Sequence, residues 1–264
     1  MPEASATSGL IAWWDEPAPG PENMAADEVL AAEAVALDRP LVRIYGWSEP
    51  TVSLGGFQRL ADARASTAIA GLPLVRRPSG GGAIVHGTDL TYAVAVPRSH
   101  AWGGDPQRLY DVFHESLAAE LRERGVTALR HPGRNRAAGD EERLLCFDRR
   151  ARGDLVVQTA AGDTDGDKIL GSAQRRLRGT VLQHGSLLLQ PPPLPAATHV
   201  GLLRLHPPAA TWDLRQLVAA WLARVAAAAG GPLETRAAAY TPARSRPIAE
   251  AALRFREAAW LGRR

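Results

Sequence analysis

The chain has 264 residues, of which 45% are hydrophobic, so it can bury a full core and is not an intrinsically disordered protein. No apolar run approaches the ~20 residues that cross a bilayer, and Met1 to Gly20 has neither the basic nor the apolar region of a signal peptide, so we expect a soluble protein without membrane contact. The net charge is only +3, so attraction for an acidic partner must come from local clusters.

Short strands and helices alternate along the first half of the chain. Apolar residues recur every three or four positions in Asp105 to Gly125, which places them on one face of a helix. Leu72 to Pro97 predicts a strand, a glycine loop and two further strands. The other predicted elements of this half are strands at Leu10 to Trp14, Leu41 to Trp47 and Thr51 to Leu54, and a helix over Pro21 to Asp38.

The second half predicts an antiparallel meander between a polar loop, Gly133 to Arg143, and a rigid connection, Pro191 to Pro195. Because no long linker separates the elements, we expect one domain over residues 1–264, with its core at about 8–190 and a C-terminal helical segment at 210–264. The expected class is α+β, with a mixed or antiparallel sheet flanked by helices. The predicted strands are Asp154 to Thr159, Lys168 to Arg176 and Thr180 to Gln190, and the predicted helices are Asp213 to Ala229 and Ile248 to Leu261.

Three consecutive glycines, Gly80 to Gly82, lie between two predicted strands. Such a run exposes backbone N–H groups and lets a ligand approach the chain closely. A strand follows it rather than a helix, which excludes a dinucleotide-binding fingerprint, and no Gly-Lys-Ser/Thr ends it, which excludes a P-loop. Arg77 and His86 could bind an anion or a carbonyl group there, although a plain β-bulge would also explain the glycines.

Lys168 is the only lysine among 31 lysines and arginines. An ammonium can lose its proton when it is desolvated and a guanidinium cannot, so Lys168 is a candidate for chemistry; a leftover lysine in an exposed turn is the alternative. Strand alternation places Lys168 on the same face as Ser172 and Gln174, with Gly171 and Ala173 on the opposite face.

Cys146 is the only cysteine, so an internal disulfide is impossible and a reducing cytoplasm is the simplest location. A lone cysteine is usually a small buried hydrophobe, but nearby arginines would favour a thiolate. No histidine pair has ligand spacing, so we expect no metal site. His184 could reach the region of Lys168, although by itself it is more typical of a structural histidine.

Two short clusters hold six of the arginines: Arg149-Arg150-Ala151-Arg152 and Arg175-Arg176-Leu177-Arg178. They could dock a phosphate, an acidic protein or a nucleic acid, or they could be solvated hairpin ends. They lack interleaved aromatic residues, which argues against nucleic acid.

Three motifs stand out together: R-R-P-S-G-G-G-A-I-V-H at Arg76 to His86, K-I-L-G-S-A-Q-R at Lys168 to Arg175, and L-Q-H-G-S-L-L at Leu182 to Leu188. With Trp47 to Gly55 and Ala259-Trp260, they resemble the lipoate-protein ligase and octanoyltransferase family over nearly the whole chain. The resemblance implies a single catalytic domain of the biotin/lipoate-ligase type.

Cys146 lies upstream of the lysine motif, and in this placement the chain resembles the octanoyl-[acyl-carrier-protein]:protein octanoyltransferases. The resemblance implies that Cys146 forms an acyl-enzyme and that Lys168 stabilises the oxyanion or assists proton transfer. It implies no cofactor, an octanoyl-acyl carrier protein as donor, and a lipoyl-domain acceptor such as glycine cleavage H protein or the E2 subunit of a 2-oxoacid dehydrogenase. The substrate-binding residues that it implies are Arg77, Ser79, Gly80, Gly81, Gly82, His86, Gly171, Ser172, Ala173 and His184.

Other activities stay open. Gly82 as the third glycine is similar to the ATP-dependent ligases, which would require ATP and magnesium. An amidotransferase that moves octanoate between lipoyl-domain proteins would also use a cysteine. An arginine-rich nucleic-acid binder or a catalytically inactive scaffold would leave Cys146 and Lys168 without a chemical role.

Overall fold

The computed structural model describes residues 9–133, 144–159, 165–194, 199–237 and 242–263. The strands in these ranges are β1 (Leu10–Trp14), β2 (Leu41–Tyr45), β3 (Thr51–Leu54), β4 (Leu74–Arg76), β5 (Ile84–His86), β6 (Asp89–Pro97), β7 (Ala128–Arg130), β8 (Leu155–Val157), β9 (Asp167–Leu177), β10 (Thr180–Leu188) and β11 (Leu233–Thr235). The helices are α1 (Gly20–Leu37), α2 (Leu60–Ala65), α3 (Ala101–Gly104), α4 (Pro106–Glu123), α5 (Leu202–Leu205), α6 (Leu214–Ala229), α7 (Pro242–Arg256) and α8 (Ala258–Gly262).

Eight strands form a mixed sheet in the order β11-β1-β2-β6-β10-β9-β8-β7. Strand β1 pairs in parallel with β2 and β11, whereas the neighbours from β2 to β7 are antiparallel. A smaller sheet has the order β4-β3-β5. The predicted α+β class with mixed sheets and flanking helices is confirmed, and so is the meander of β8, β9 and β10.

Helices cover both faces of the large sheet, which explains why every residue of β6 and β10 is buried. Alternate residues of β6 belong to two apolar clusters, with Tyr92 and Val94 on the side of α4 and α6, and Ala93 and Ala95 on the side of α1 and α7. The small alanines leave room on the second side, where the smaller sheet and the cavity described below also lie. None of the helices in the described ranges is long and apolar enough to cross a membrane.

The C-terminal segment differs from the prediction. One helix was expected over Ile248 to Leu261, but α7 begins earlier, at Pro242, and the chain leaves the helix at Glu257 before α8 starts. The segment expected to be helical also contributes β11, whose backbone pairs with β1. A three-residue edge strand is too short to show a side-chain pattern in the sequence. Whether it forms depends on hydrogen bonds to its partner strand. Most of the predicted loop at Gly133 to Arg143 lies outside the described residues.

Candidate active site

A cavity that opens to solvent and encloses about 430 Å³ of empty space lies between the two sheets. Apolar side chains from α1, β2 and β5 form part of its wall. Polar groups project into it from both sheets and from the segment that follows residue 143. The lining residues that matter below are Met24, Tyr45, Trp47, Ser53, Arg77, Gly81, Ile84, His86, Cys146, Gly171, Ser172, Ala173 and His184.

The structure brings the lone cysteine and the lone lysine into contact. Cys146 begins a short 3-10 turn, and its Sγ lies 3.6 Å from the Nζ of Lys168. The same ammonium donates to the backbone carbonyls of Cys146, at 3.3 Å, and of Arg149, at 3.4 Å. A cation at this distance stabilises a thiolate, which is the nucleophilic form of cysteine.

Asp154, which the sequence analysis did not single out, holds Lys168 in place. Its Oδ2 lies 2.7 Å from Nζ, and both side chains are buried. Burial alone would lower the pKa of Lys168, but the charges of Asp154 and Cys146 outweigh it and raise the pKa overall. Lys168 is therefore an ammonium that can donate hydrogen bonds and stabilise negative charge, not a group poised to release its proton.

A bulge in β9 decides which way Lys168 points. Leu155 pairs with Leu170 but the next residue, Val156, pairs with Lys168, so β9 has one extra residue there. The expectation that Lys168 faces away from Gly171 was wrong, since a Cβ on Gly171 would lie only 2.8 Å from Nζ. Because Gly171 has no side chain, the ammonium of Lys168 can occupy the space above it.

The glycine loop packs directly against the cysteine segment. The Ala83 N–H donates to the Leu144 carbonyl at 2.8 Å, and the Cys146 N–H donates to the Ala83 carbonyl at 2.7 Å. A Cβ on Gly82 would lie 3.0 Å from both the backbone nitrogen and Cα of Cys146. The third glycine therefore allows this close approach of two backbones.

Arg77 is buried at the wall of the cavity. Its guanidinium donates to backbone carbonyls of Ser53, Gly80 and Gly82, at 2.7, 2.8 and 2.6 Å, and to the Ser53 hydroxyl at 3.2 Å. Burial lowers the pKa of Arg77 to about 10, although the charge of Cys146 partly opposes this shift. Among the described residues no carboxylate pairs with Arg77, so its positive charge acts on the cavity. Its hydrogen bonds to Gly80 and Gly82 hold the glycine loop in shape.

Two serine–histidine–aspartate chains flank the cavity. In one, Ser53 Oγ lies 2.8 Å from His86 Nε2, and His86 Nδ1 lies 2.8 Å from Asp89 Oδ2. In the other, Ser79 Oγ bonds to His184 Nε2, and His184 Nδ1 lies 3.1 Å from Asp27 Oδ2. Burial lowers the pKa of His184 despite its contact with Asp27, so that imidazole is neutral.

A third polar chain supports the site from the other face of β9. Burial lowers the pKa of His114, on α4, to about 4, so its ring is neutral. His114 Nδ1–H donates to the Gly153 carbonyl and Nε2 accepts from the Ser172 hydroxyl, both at 2.7 Å. This bond fixes the backbone at Gly153, the residue just before Asp154. It therefore helps to hold Asp154 where it binds Lys168.

Most of the predicted site residues meet at this cavity. Ser79, Gly80 and Gly82 do not line it but support the residues that do, through His184, Arg77 and Cys146. Lys168 does not line it either, but it contacts Cys146, which does. The residues that sequence reasoning missed are Asp27, Ser53, Asp89, His114 and Asp154. Apart from Asp89, which lies three positions from His86, they bind partners distant in sequence. The predicted residues that line the cavity are Arg77, Gly81, His86, Cys146, Gly171, Ser172, Ala173 and His184; their roles in substrate binding stay predictions.

Acidic side chains lie around the cavity and not in its described lining. Magnesium at nucleotide sites is held by carboxylate oxygens, and no aspartate or glutamate of the described residues lines the cavity. Asp27, Asp89 and Asp154 each bind a histidine or Lys168 instead. Across the described ranges, no group of three or more His, Cys, Asp or Glu side chains could hold a metal ion.

Comparison with known proteins identifies the family. The model of the lipoyl protein ligase A/B catalytic domain matches residues 19–198, more than half of the chain. The chain belongs to this family. It is 39% identical over 175 residues to octanoyltransferase LipM of Kyrpidia tusciae, covering 63% of this chain and 61% of that protein. For octanoyltransferase LipM of Bacillus subtilis the identity is 34%, covering 63% of this chain and 60% of that protein. The matches thus span less than two thirds of either relative.

Solved structures of the family share the fold. Lipoate-protein ligase A bound with ATP superposes with a TM-score of 0.69 at 19% identity, covering 96% of this chain and 98% of that one. A lipoate protein ligase of T. acidophilum with bound lipoic acid gives a TM-score of 0.67 at 19% identity and the same coverage. The predicted family and its lipoate-ligase-type fold are therefore confirmed.

The niche at Gly171 yields a test that does not depend on the reaction. We expect Gly171→Ala to slow alkylation of Cys146 by iodoacetamide by about an order of magnitude, because the new Cβ displaces the ammonium that stabilises the thiolate. Gly104→Ala is the control, since a Cβ there meets nothing within 4 Å. Equal alkylation rates for Gly171→Ala and the wild type would show that the Lys168 contact does not activate Cys146.

Proposed function

We propose that this protein is an octanoyltransferase that moves an octanoyl group from an acyl carrier protein to a lysine of a lipoyl domain. The observation that carries the proposal is the Cys146 sulfur 3.6 Å from the Lys168 ammonium, at a cavity with an apolar wall. The relatives named octanoyltransferase LipM support it. A reducing compartment such as the cytoplasm suits a reaction that depends on a free thiol.

The reaction proceeds in two acyl transfers. The Cys146 thiolate attacks the carbonyl carbon of the donor thioester, and a new C–S bond forms. The C–S bond to the carrier's pantetheine arm breaks, and the pantetheine sulfur leaves as a thiolate. Lys168 and backbone N–H groups of the glycine loop stabilise the oxyanion of the tetrahedral intermediate. The acceptor amine then attacks the octanoyl-Cys146 thioester, a C–N bond forms, and the Cys146 thiolate leaves. A thioester is already activated, so the conversion to an amide needs no nucleotide.

The arginine cluster at the end of β9 suits an acidic carrier protein as the donor. Arg175, Arg176 and Arg178 are exposed, and Arg175 lies on the same strand as Gly171 and Ala173 of the cavity. In the other cluster, Arg150 donates to the carbonyls of Phe147 and Gly166 and so has a structural role. Charge complementarity of this kind raises the rate of encounter more than the final affinity.

The ATP-dependent ligase is the second candidate, because lipoate-protein ligase A bound with ATP shares the fold. Incubation with octanoyl-acyl carrier protein should add one octanoyl group to Cys146, detected by mass spectrometry of the intact protein and its peptides. Octanoate with ATP and magnesium should release no pyrophosphate. Pyrophosphate release without an adduct on Cys146 would instead identify a ligase. If octanoylated lipoyl domain acylates Cys146 and the carrier protein does not, the enzyme is an amidotransferase.

A further inference from the structure

The Ser53–His86–Asp89 chain has the geometry of a proton relay. Burial alone would raise the pKa of Asp89, but His86 and hydrogen bonds from Ser186 and the Gly87 N–H lower it overall, so Asp89 is a carboxylate. A carboxylate can only accept, so Nδ1 of His86 carries a hydrogen. The other nitrogen, Nε2, is then the one that exchanges a proton with the Ser53 hydroxyl, 2.8 Å away.

Ser53 and His86 line the same cavity as Cys146. Arg77 connects them, because its Nη1 donates to Ser53 Oγ at 3.2 Å while its charge acts on Cys146. The indole of Trp47 stacks on the His86 ring, with centroids 3.9 Å apart and planes at 13°. The ring of His86 is thus held by stacking on one face and by a hydrogen bond at each of its two nitrogens.

The other acid–base groups near the cavity are less suited to this task. Lys168 is an ammonium held by Asp154 and has no lone pair to accept a proton. Ser53 and Ser79 are both buried, but only Ser53 lines the cavity. His114 lies on the opposite face of β9, against α4. Ser172, in the third chain, also lines the cavity, but its hydroxyl bonds to His114 and Tyr92. Ser53 is therefore the lining hydroxyl of these chains whose histidine also binds a carboxylate, Asp89.

We propose that Ser53 and His86 carry the proton of the acyl transfer, an inference that rests on the proposed function. In the second step the acceptor amine forms its C–N bond, and its surplus proton passes to Ser53 Oγ while the Ser53 proton passes to Nε2 of His86. The C–S bond to Cys146 breaks, and the enzyme is left with a thiolate and an imidazolium facing Asp89. In the next first step the same proton returns through Ser53 to the departing pantetheine thiolate. Each turnover thus moves one proton from nitrogen to sulfur, as the overall reaction requires.

The charges around His86 define what a pH profile would report. Asp89 faces its Nδ1, and Arg77 reaches its Nε2 partner, Ser53. The charge of His86 also acts on His184, on β10 of the large sheet. Only a neutral imidazole can accept a proton at Nε2, so the relay predicts that the amine-transfer step slows at acid pH.

Ser53→Ala tests the relay, and Thr51→Val is the matched control. Thr51 is a buried hydroxyl on the same strand, which donates to the Glu49 carbonyl and lies outside the cavity lining. Enzyme first acylated on Cys146 with octanoyl-acyl carrier protein is mixed with a lipoyl domain, and single-turnover amide formation is followed against pH and in mixtures of H₂O and D₂O. We expect Ser53→Ala to slow amide formation about 100-fold. The variant should also lose the fall in rate at acid pH (the acid limb of the profile) and the part of the solvent isotope effect that comes from more than one transferred proton. Thr51→Val should behave as the wild type.

Each result decides between the relay and another role. Wild-type amide formation with an unchanged pH profile in Ser53→Ala would overturn the relay while leaving the Cys146 mechanism intact. An octanoyl ester found on Ser53 would show that this serine is an acyl acceptor, which also overturns it. A slow Ser53→Ala variant that keeps the wild-type acid limb and isotope effect would show a structural role. Failure of the wild type to form octanoyl-Cys146 refutes the proposed function itself, and is seen before the amine is added.

Discussion

Replacing Cys146 by serine should lower octanoyl transfer from the carrier protein by about three orders of magnitude or more. Lys168 stabilises a thiolate 3.6 Å away, but a hydroxyl is far more basic than a thiol, so the same ammonium leaves the serine side chain protonated and unreactive. Single-turnover assays with octanoyl-acyl carrier protein and a lipoyl domain measure the loss, and mass spectrometry should find no adduct at position 146.

The Cys146→Ser variant should fold as the wild type, because Cys146 is only half-buried and the exchange hardly changes its volume. Thermal unfolding provides this control. Transfer at the wild-type rate would contradict the acyl-enzyme mechanism. ATP-dependent ligation of free octanoate by Cys146→Ser would additionally identify a ligase, because that reaction needs no cysteine nucleophile.

Replacing Lys168 by methionine should cost both stability and activity. It leaves the carboxylate of Asp154 buried without its cation, and breaking a buried ion pair from one side typically costs about 3–5 kcal/mol of unfolding free energy. It also removes the charge that stabilises the Cys146 thiolate and the oxyanion. We expect a lower midpoint in urea unfolding and a loss of acyl-enzyme formation of about 100-fold or more.

The double variant Lys168→Met with Asp154→Asn separates these two effects. The neutral amide removes the unpaired charge. Its oxygen can still accept from the Ala151 N–H, and its NH2 group can donate to the oxygen of the Tyr110 hydroxyl, so much of the lost stability should return. Acylation of Cys146 should stay low, because no ammonium faces the sulfur. If acylation recovers together with stability, Lys168 is a structural residue only. Lys168→Arg should also be impaired, since a planar guanidinium does not fit the niche above Gly171.

The proposed transferase chemistry depends on one local charge arrangement. Lys168 and Arg77 are both buried cations whose charges act on Cys146 from different elements, β9 and the glycine loop. The carboxylate of Asp154 neutralises Lys168, whereas Arg77 has only carbonyl and hydroxyl partners among the described residues. A positive charge is thereby left near the sulfur, where it can stabilise the oxyanion that forms when the donor is attacked.

Local patterns in the sequence were sufficient for the larger elements. The helix at α4 was predicted from its apolar periodicity, and its start was marked by Asp105, which accepts from the Arg108 N–H, and by Pro106 at the first turn. The long strands β6, β9 and β10 follow from β-rich runs separated by turns. The shorter strands β7 and β11 were missed, because three residues carry no period of their own and form only where a partner strand supplies hydrogen bonds.

The sequence by itself determined which residues were candidates for chemistry. A single cysteine, a single lysine and a run of three glycines are rare enough in this composition to stand out, and the motifs around them matched one family. Residue types alone also indicated that a thiol next to basic groups could act as a nucleophile.

Only the tertiary structure decided how these residues act. One extra residue in β9 turned Lys168 toward Gly171 and Cys146, against the simple alternation, because a bulge reverses the direction of every side chain beyond it. The sign of the shift in the Lys168 pKa followed from Asp154, which lies 14 positions earlier in the chain but 2.7 Å away in space. Electrostatic energies depend on distance through space and on burial, which are set by the packing of elements far apart in sequence, so no local pattern could have supplied them.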